Sequence, residues 1–254
     1  MRADIDRIWS SSLADFDAAW ELTLAGQSLS VRDPQRLFSG ASMIKTLLAA
    51  LLDEDVRAGA LSLSRSVPVA AHDRVEGDGV LRFGQVPTMH RLGDLLLLMI
   101  AVSDNFATQA LIAFMGGPAS INGRLAARGY TSRLYGFWTT PEERLSDVSL
   151  RDHQAALASI AHPLIRRAFA AQQDRRSLAR RVDYDAEFLH KTGTAATVRH
   201  DAGALSTPRG VLWVGAFTDG GPAAEWVDHP ACVAMGSALH ETLVALGLAQ
   251  LAAP

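Results

Sequence analysis

The pattern of apolar and polar positions changes twice along the chain, from strand-like to helical and back. An amphipathic helix is predicted at residues 3–12, followed by a β-hairpin formed by "FDAAWELTL" and "SLSVRD" around an "AGQ" turn. From about residue 42 to 180, apolar residues recur at helical spacing in segments that end at Gly or Pro. After residue 185, the segments "EFLHKTG", "RHDAGALS" and "GVLWVGAFT" predict strands, and residues 229–250 predict a closing helix.

This order of elements predicts how the two ends of the chain combine. Strands at both ends with helices between them fit most simply into one antiparallel sheet covered by the terminal helices. We therefore expect an α/β (α+β) fold, in which a five-stranded antiparallel sheet carries an inserted, all-helical lobe. The sheet lobe would comprise residues 1–40 and 182–254, the helical lobe residues 41–181, and the two would form one catalytic unit.

The composition argues against several classes of function. The 254 residues are 48% hydrophobic and 20% charged, which is typical of a soluble protein with a sizeable core. A net charge of −3 gives no electrostatic basis for binding nucleic acid. The single cysteine, Cys232, cannot form an intrachain disulfide, and its apolar neighbours predict a buried side chain. Without a CxxC or HExxH motif, we expect neither a metal nor another cofactor.

The N-terminus is polar and lacks the apolar run of a signal peptide. The longest apolar run, "LLLLMIAV", is too short to span a bilayer. We expect a cytoplasmic protein as the sequence stands, or a periplasmic or secreted one if a leader has been removed, and no membrane partner.

Lysine usage singles out two positions. Of the 24 Lys and Arg residues only Lys45 and Lys191 are lysines. An arginine stays protonated in proteins, whereas a lysine can be driven neutral by burial or by a nearby positive charge. Both positions therefore indicate a need for a neutral amine or a compact ammonium. The densest arginine patch is interpreted as a solvated helix face: Arg166-Arg167, Arg175-Arg176 and Arg180-Arg181.

Ser42 and Lys45 are separated by three positions at the start of a predicted helix. This spacing puts both side chains on one helix face, where a lysine of lowered pKa can accept the proton of a serine nucleophile. About one Ser-x-x-Lys is expected by chance in such a chain. A surface serine beside an extended lysine is therefore the alternative.

Two further triplets place polar groups at the ends of predicted elements. Ser103-Asp104-Asn105 directly follows an apolar helix, and a helix N-cap is the alternative interpretation. Lys191-Thr192-Gly193 lies in the predicted strand "EFLHKTGTA", where an edge can offer a cation, a hydroxyl and open backbone to a ligand. A strand that simply ends in a turn is the alternative here.

Taken together and in this order, the three motifs resemble those of class A β-lactamase-like serine hydrolases, among the penicillin-recognising serine enzymes. The similarity extends to "RLFSGASMIKTLLAALL" and "LMIAVSDNFATQALIAFMGGPASINGRLAARGY", and covers about residues 30–220. It implies a β-lactamase/transpeptidase-like fold with the active site between the sheet and the helical lobe.

The resemblance also implies catalytic roles. Ser42 would be the acylated nucleophile and Lys45 the base for acylation. Ser103 would relay a proton to the leaving nitrogen. Lys191 would lower nearby pKa values and attract the substrate carboxylate.

The same resemblance implies substrate-binding residues. Asn105 would bind the amide of the substrate side chain, and Thr192, followed by Gly193, would hydrogen-bond the carboxylate. The backbone N–H groups of Ser42 and Thr194 would form the oxyanion hole.

A carboxylate-anchoring arginine is also typical of the family. Arg199, on the next predicted strand, is the expected residue. A shift of one position would place His200 there instead, so both stay open.

The sequence departs from the family at the loop that activates water. Class A enzymes carry Glu-x-x-Leu-Asn there, whereas residues 142–146 read "EERLS" in a loop several residues shorter. Counting from the two ends of the loop gives different positions for the glutamate. Glu142 is therefore either the deacylating base or a solvated acid at a helix start.

These observations predict a serine acyl hydrolase that forms an acyl-enzyme at Ser42, with β-lactamase-type hydrolysis of a cyclic amide as the first expectation. The substrate would be a small molecule with a carboxylate: a β-lactam, a peptide or an ester. A D-alanyl-D-alanine carboxypeptidase or a small-ester hydrolase on the same fold is the alternative, followed by a covalent β-lactam- or peptide-binding protein. The oligomeric state stays open.

Overall fold

The structure, a computed structural model, describes residues 1–136, 145–222 and 228–253. Eight α-helices lie in these ranges: α1 (Arg2–Ser12), α2 (Ile44–Arg57), α3 (Leu92–Ala101), α4 (Asn105–Phe114), α5 (Gly117–Ala127), α6 (Leu150–Ser159), α7 (Pro163–Ala170) and α8 (Pro230–Ala245). The same ranges contain ten strands: β1 (Asp17–Leu24), β2 (Gln27–Arg32), β3 (Leu37–Ser39), β4 (Ser66–Val69), β5 (Thr88–Arg91), β6 (Arg133–Leu134), β7 (Ser146–Ser149), β8 (Phe188–Ala195), β9 (Val198–Thr207) and β10 (Gly210–Asp219).

The main sheet joins the two ends of the chain. Its five strands lie in the order β2-β1-β10-β9-β8, and each neighbouring pair is antiparallel. Strand β1 pairs with β10 from Asp17 opposite Asp219 to Leu24 opposite Leu212. The predicted five-stranded antiparallel sheet with helices is therefore confirmed.

Apolar side chains pack on both faces of this sheet. On one face α1 and α8 bury Trp9 and Leu239 against sheet residues such as Val214, and the Trp9 indole donates a hydrogen bond of 3.0 Å to Thr242 Oγ1. On the other face Leu189 and Phe217 pack against the helices inserted between β2 and β8. The sheet is thus the middle layer, with apolar contacts on each side.

Helix α2 lies at the centre of the inserted helices. Its residues from Ile44 to Asp53 are all buried, so the helix contacts other elements around its whole circumference. Such a helix has little freedom to shift, and it therefore fixes the position of Lys45, near its first turn, relative to the sheet.

One predicted helix boundary is wrong. The pattern at residues 88–102 predicts a single helix, but Thr88–Arg91 form strand β5, and helix α3 starts at Leu92. Strand β5 pairs with β4, so its backbone groups find partners 19 to 25 residues away that local spacing does not reveal. Strands β3, β6 and β7 are also absent from the sequence prediction, because two to four residues are too few to show a period.

The division into two lobes stays a prediction. Strand β3, placed in the sheet lobe, pairs with β7 from the helical lobe. Within the described ranges no helix is long and apolar enough to cross a membrane.

Candidate active site

The proposed nucleophile lies on a tight turn that leads into α2. Ser42 is the middle residue of a 3-10 turn, Ala41–Met43, and is 8% exposed. Ala41 adopts a left-handed backbone with φ of 43°, a conformation that is costly for a residue other than glycine. The turn presents the Ser42 side chain to a cavity of about 360 Å³ at the edge of the main sheet.

The Ser103 hydroxyl is the centre of the polar contacts in this site. Its Oγ atom lies 2.9 Å from Ser42 Oγ, 3.1 Å from Lys45 Nζ and 3.2 Å from Lys191 Nζ. Ser103 also has a positive φ of 56°. Because a hydroxyl both donates and accepts, this one group can pass a proton between the serine and either amine. The structure thus brings together all four side chains predicted to be catalytic.

Lys45 is fully buried and has polar partners on two residues. Its Nζ donates to the Ser103 carbonyl oxygen at 2.7 Å and to Asn105 Oδ1 at 2.7 Å. Burial, and next the positive charge of Lys191, lower the pKa of Lys45 well below its ordinary value. A lysine in this setting can be the neutral amine that a general base requires.

Lys191, the other lysine, is also fully buried, and three acidic side chains lie near enough to act on its charge. Burial lowers its pKa to about 8, while the negative charges of Asp174, Asp78 and Asp201 act in the opposite direction. At pH 7 a group with this pKa is mostly protonated. Lys191 therefore suits the role of an electrostatic anchor, whereas Lys45, whose pKa is held well below its ordinary value, suits that of a base.

The Ser-Asp-Asn triplet combines both of its proposed interpretations. Asp104 caps α4, accepting from the backbone N–H of Ala107 at 2.8 Å. Its second oxygen accepts from the N–H groups of Val80 and Leu81 at 2.7 and 2.8 Å. The N-cap alternative thus applies to Asp104, while Ser103 and Asn105 contact Lys45.

Strand β8 brings its backbone against the nucleophile turn. Lys191 and Gly193 alternate towards the helices, whereas Thr192 and Thr194 line the cavity. A Cβ atom at Gly193 would lie 2.8 Å from Met43 Cγ, so only glycine permits this approach without displacing Met43. The predicted position of Gly193 therefore has a steric reason.

The sheet register bears on the choice between Arg199 and His200. Strand β9 places Arg199 opposite Thr194 and His200 opposite Gly193. Because opposed residues share a face of the sheet, Arg199 lies on the face of the cavity-lining threonines. Its guanidinium donates to the carbonyl oxygens of Ala196 and Val198, at 2.9 and 2.7 Å.

His200 is held in the core instead. Its Nε2 lies 2.8 Å from the Ser39 carbonyl oxygen, and its Nδ1 accepts from the Thr218 N–H at 3.2 Å. Burial lowers the pKa of His200 to about 4, so the imidazole is neutral at pH 7. This geometry favours Arg199 over His200 as a ligand for a carboxylate.

The interpretation of Arg175 and Arg176 as a solvated helix face is wrong. Both lie in the loop after α7 and line the cavity together with Ser42. Arg176 is held by two hydrogen bonds to Asp174, Nε to Oδ1 at 2.8 Å and Nη2 to Oδ2 at 2.9 Å. The available signal was the end of helical apolar spacing at Phe169, which puts the following charges in a loop rather than on a helix.

Glu142 lies within residues 137–144, outside the residues that the structure describes, so its role stays a prediction. Among those that are described, no three His, Cys, Asp or Glu side chains are grouped as a metal site requires.

Solved structures similar to this chain share its fold over nearly its whole length. A β-lactamase from Sphaerobacter thermophilus aligns with a TM-score of 0.83 and 24% identity, covering 98% of each chain. A point mutant of PBP-A, in its acyl-enzyme complex with penicillin G, aligns with a TM-score of 0.81 and 20% identity, covering 97% of this chain and 96% of that one. A representative class A β-lactamase from Bacteroides cellulosilyticus gives 0.81 and 18%, covering 96% and 98%. At these identities the likeness shows the fold alone.

The sequence itself carries the family assignment. A search of curated proteins gave no match. The model of the β-lactamase enzyme family matches residues 10–243, which is most of the chain. The chain therefore belongs to the β-lactamase enzyme family and is a serine hydrolase.

Proposed function

We propose that this protein hydrolyses a cyclic amide of the β-lactam type through an acyl-enzyme at Ser42. The observation that carries the proposal is the Ser103 hydroxyl, which lies within hydrogen-bond distance of Ser42 and of both buried lysines. PBP-A, which has this fold, is described as an acyl-enzyme with penicillin G, and this supports the same covalent step here.

The first step is activation of the nucleophile. Neutral Lys45 takes the Ser42 proton through Ser103, over contacts of 2.9 and 3.1 Å. The Ser42 oxygen then attacks the carbonyl carbon. Negative charge develops on the carbonyl oxygen, and the backbone N–H groups of Ser42 and Thr194 are the proposed donors to it. The close approach of Gly193 to the nucleophile turn supports that pairing.

The second step is departure of the nitrogen. As the amide C–N bond breaks, the nitrogen needs a proton, and Ser103 is placed to deliver one that Lys45 has received. A protonated Lys191, 3.2 Å from the same hydroxyl, favours transfer away from Ser103 and attracts an anionic substrate. Asn105 is the proposed donor to the amide of the acyl side chain.

The substrate carboxylate is proposed to bind at the Thr192 and Thr194 end of the cavity. Lys191 supplies charge beneath these threonines. Arg176 adds a guanidinium from the cavity wall, and Arg199 lies on the same face of the sheet as Thr194. Arginine suits this role because its planar fork matches a carboxylate.

The alternatives differ in the fate of the acyl group. A D-alanyl-D-alanine carboxypeptidase or small-ester hydrolase would use the same four residues but turn over its own peptide or ester faster than a β-lactam. A covalent binding protein would keep the adduct. Deacylation therefore separates these functions, and the position of Glu142 decides it.

The test is intact-mass spectrometry after exposure to a penicillin and to a chromogenic cephalosporin. We expect a mass increase of one penicillin on the wild type and none on Ser42→Ala, with circular dichroism showing that the variant folds. Adduct formation on Ser42→Ala, or a wild type that neither forms an adduct nor consumes the cephalosporin, would reject the proposal. The lifetime of the adduct separates the hydrolase from the binding protein.

A further inference from the structure

Asp78 is an acidic side chain in the cavity wall that the proposed mechanism does not use. Its backbone carbonyl accepts from the Asn105 N–H at 3.0 Å, which ties this loop to the catalytic triplet. Its side chain lines the same cavity as Ser42 and Ser103. The backbone of Asp78 is therefore held beside the catalytic triplet, and its carboxylate belongs to the cavity wall.

The other charges around the cavity are mostly positive. The negative charge of Asp78 acts on Lys45, Lys191 and Arg176, raising the pKa of each, so its carboxylate lies within electrostatic range of all three. Asp174, which also lines the cavity, has both oxygens bound to Arg176. Asp78 has no hydrogen bond or ion pair to its carboxylate within the described ranges, so this group is open to a ligand.

The position of Asp78 in the cavity indicates which half of the substrate it would meet. The cavity that it lines is bounded by Ser103, Thr192 and Thr194, the residues proposed to meet the leaving nitrogen and the carboxylate. Asn105, proposed to bind the acyl side chain, is not among the described residues that line this cavity, and its side-chain oxygen accepts from Lys45 Nζ. A group that meets Asp78 thus belongs to the leaving half of the substrate.

A carboxylate in this place has a consequence for specificity. It repels an anionic leaving half, and it attracts one in which a cation accompanies the carboxylate. Resting on the proposed function, the geometry points to Asp78 as a specificity residue that favours substrates with a cationic group in the leaving half. Because Asp78 is exposed, the attraction is partly screened by water and sensitive to salt.

The test uses two cephalosporins that share one acyl side chain and differ in the leaving half. Cephaloridine carries a cationic pyridinium at that position, and cephalothin carries a neutral acetoxy group. The second-order acylation rate for each is measured by stopped flow at low ionic strength, in the wild type and in Asp78→Asn. The intrinsic reactivity of the compounds cancels when the cephaloridine-to-cephalothin rate ratio is compared between the two proteins.

We expect Asp78→Asn to lower this ratio about threefold to fivefold, the range of an exposed ion pair. Added salt should bring the ratios of the wild type and Asp78→Asn closer together, because it screens the attraction between Asp78 and the pyridinium. Glu76→Gln is the matched control, because it removes the same charge two positions away, where the side chain pairs with Arg82. The ratio in Glu76→Gln should equal that of the wild type.

The outcomes separate this inference from the proposed function. Acylation of the wild type by both compounds, with an unchanged ratio in Asp78→Asn, overturns the role of Asp78 alone. An equal fall of the ratio in Glu76→Gln also overturns it, since the effect would then come from net charge. No acylation of the wild type by either compound overturns both proposals.

Discussion

At the scale of single residues, the two lysines share one setting, and the charge of one affects the pKa of the other. Both are fully buried, and both contact the Ser103 hydroxyl. The charge of Lys191 helps to lower the pKa of Lys45, whereas Lys191 has acidic residues nearby that partly offset its burial. An arginine at position 45 would stay charged and could not accept a proton, which gives a physical reason for lysine in a chain otherwise supplied with arginine.

Lys45→Arg should remove most of the acylation rate, because a guanidinium cannot take the serine proton. Lys191→Arg should be milder, since a cation remains. Stopped-flow acylation by a chromogenic cephalosporin measures both, and urea denaturation shows whether each variant keeps its stability. Equal acylation rates in the two variants would contradict the assigned roles.

The pH dependence of acylation gives a second test of Lys191. With a pKa of about 8, Lys191 loses its proton as the pH rises through 8, so the acylation rate should fall above that value. Lys191→Arg stays charged and should lack this fall, although its rate at pH 7 is lower. A fall of the same shape in wild type and variant would assign the titration to another group.

At the scale of elements, the sequence predicts helices and motifs better than it predicts loops. Ser42 and Ser103 lie at element ends and Lys191 lies within strand β8, and in each case the pattern of the element is visible locally. Arg176 and Asp78 belong to loops whose distance from Ser42 depends on how α7 and α4 pack, and no local spacing carries that information. Strand β5 was missed for the same reason, since its pairing partner is distant in sequence.

Asp104 caps helix α4 and lies between Ser103 and Asn105 of the site. Its substitution can therefore be tested by stability and by activity together. Asp104→Ala leaves the N–H groups of Val80, Leu81 and Ala107 without their acceptor, at about 1–3 kcal/mol for a buried group left unpaired. We expect a loss of stability of several kcal/mol and a slower acylation, because Ser103 and Asn105 flank the changed residue.

Ser149→Ala is the control for this substitution. Ser149 caps α6 by accepting a hydrogen bond from the Asp152 N–H. Its replacement by alanine should lower the free energy of unfolding by about 1 kcal/mol. Urea denaturation and stopped-flow acylation measure both variants. An acylation rate that is unchanged in Asp104→Ala would limit its role to folding.

Deacylation is the step for which the role of Glu142 stays a prediction. We expect that the shortened loop does not place this carboxylate to activate water, which removes general-base help of about 10²–10⁴-fold. The wild type should then show a burst followed by slow turnover of penicillin, and Glu142→Gln should change little. Fast turnover without a burst, lost in Glu142→Gln, would contradict this and assign Glu142 as the base.

At the scale of the whole molecule, buried neutral histidines connect the sheet with the helices. His153 on α6 lies 2.9 Å from the Thr46 hydroxyl on α2, and its ring meets Phe217 on β10 edge to face. His200 stacks on the same Phe217 ring, with centroids 4.4 Å apart. The inserted helices and the main sheet thus share one buried cluster, in which an added charge would be buried as well.

Stability should therefore fall in mild acid. Burial lowers the pKa of His153 to about 3, with Lys191 and His200 adding positive charge, and burial lowers the pKa of His200 to about 4. A histidine in the unfolded chain has a pKa of about 6.5. Below that pH, the unfolded state therefore binds protons that these two histidines do not bind in the folded state. Each histidine then contributes a loss of about 2 kcal/mol between pH 7 and pH 5. Carboxylates with lowered pKa values act only near and below their ordinary value of 3.8, which leaves this window to the histidines.

The measurement is the free energy of unfolding from urea denaturation at pH 7, 6 and 5, in the wild type and in His153→Gln. A glutamine can keep a hydrogen bond to Thr46 but does not titrate, so the variant should lose about half as much stability over this range as the wild type does. His200→Gln should behave alike, and the double variant should be nearly independent of pH above 5. A wild type equally stable at pH 7 and pH 5 would show that neither histidine is held neutral by the fold.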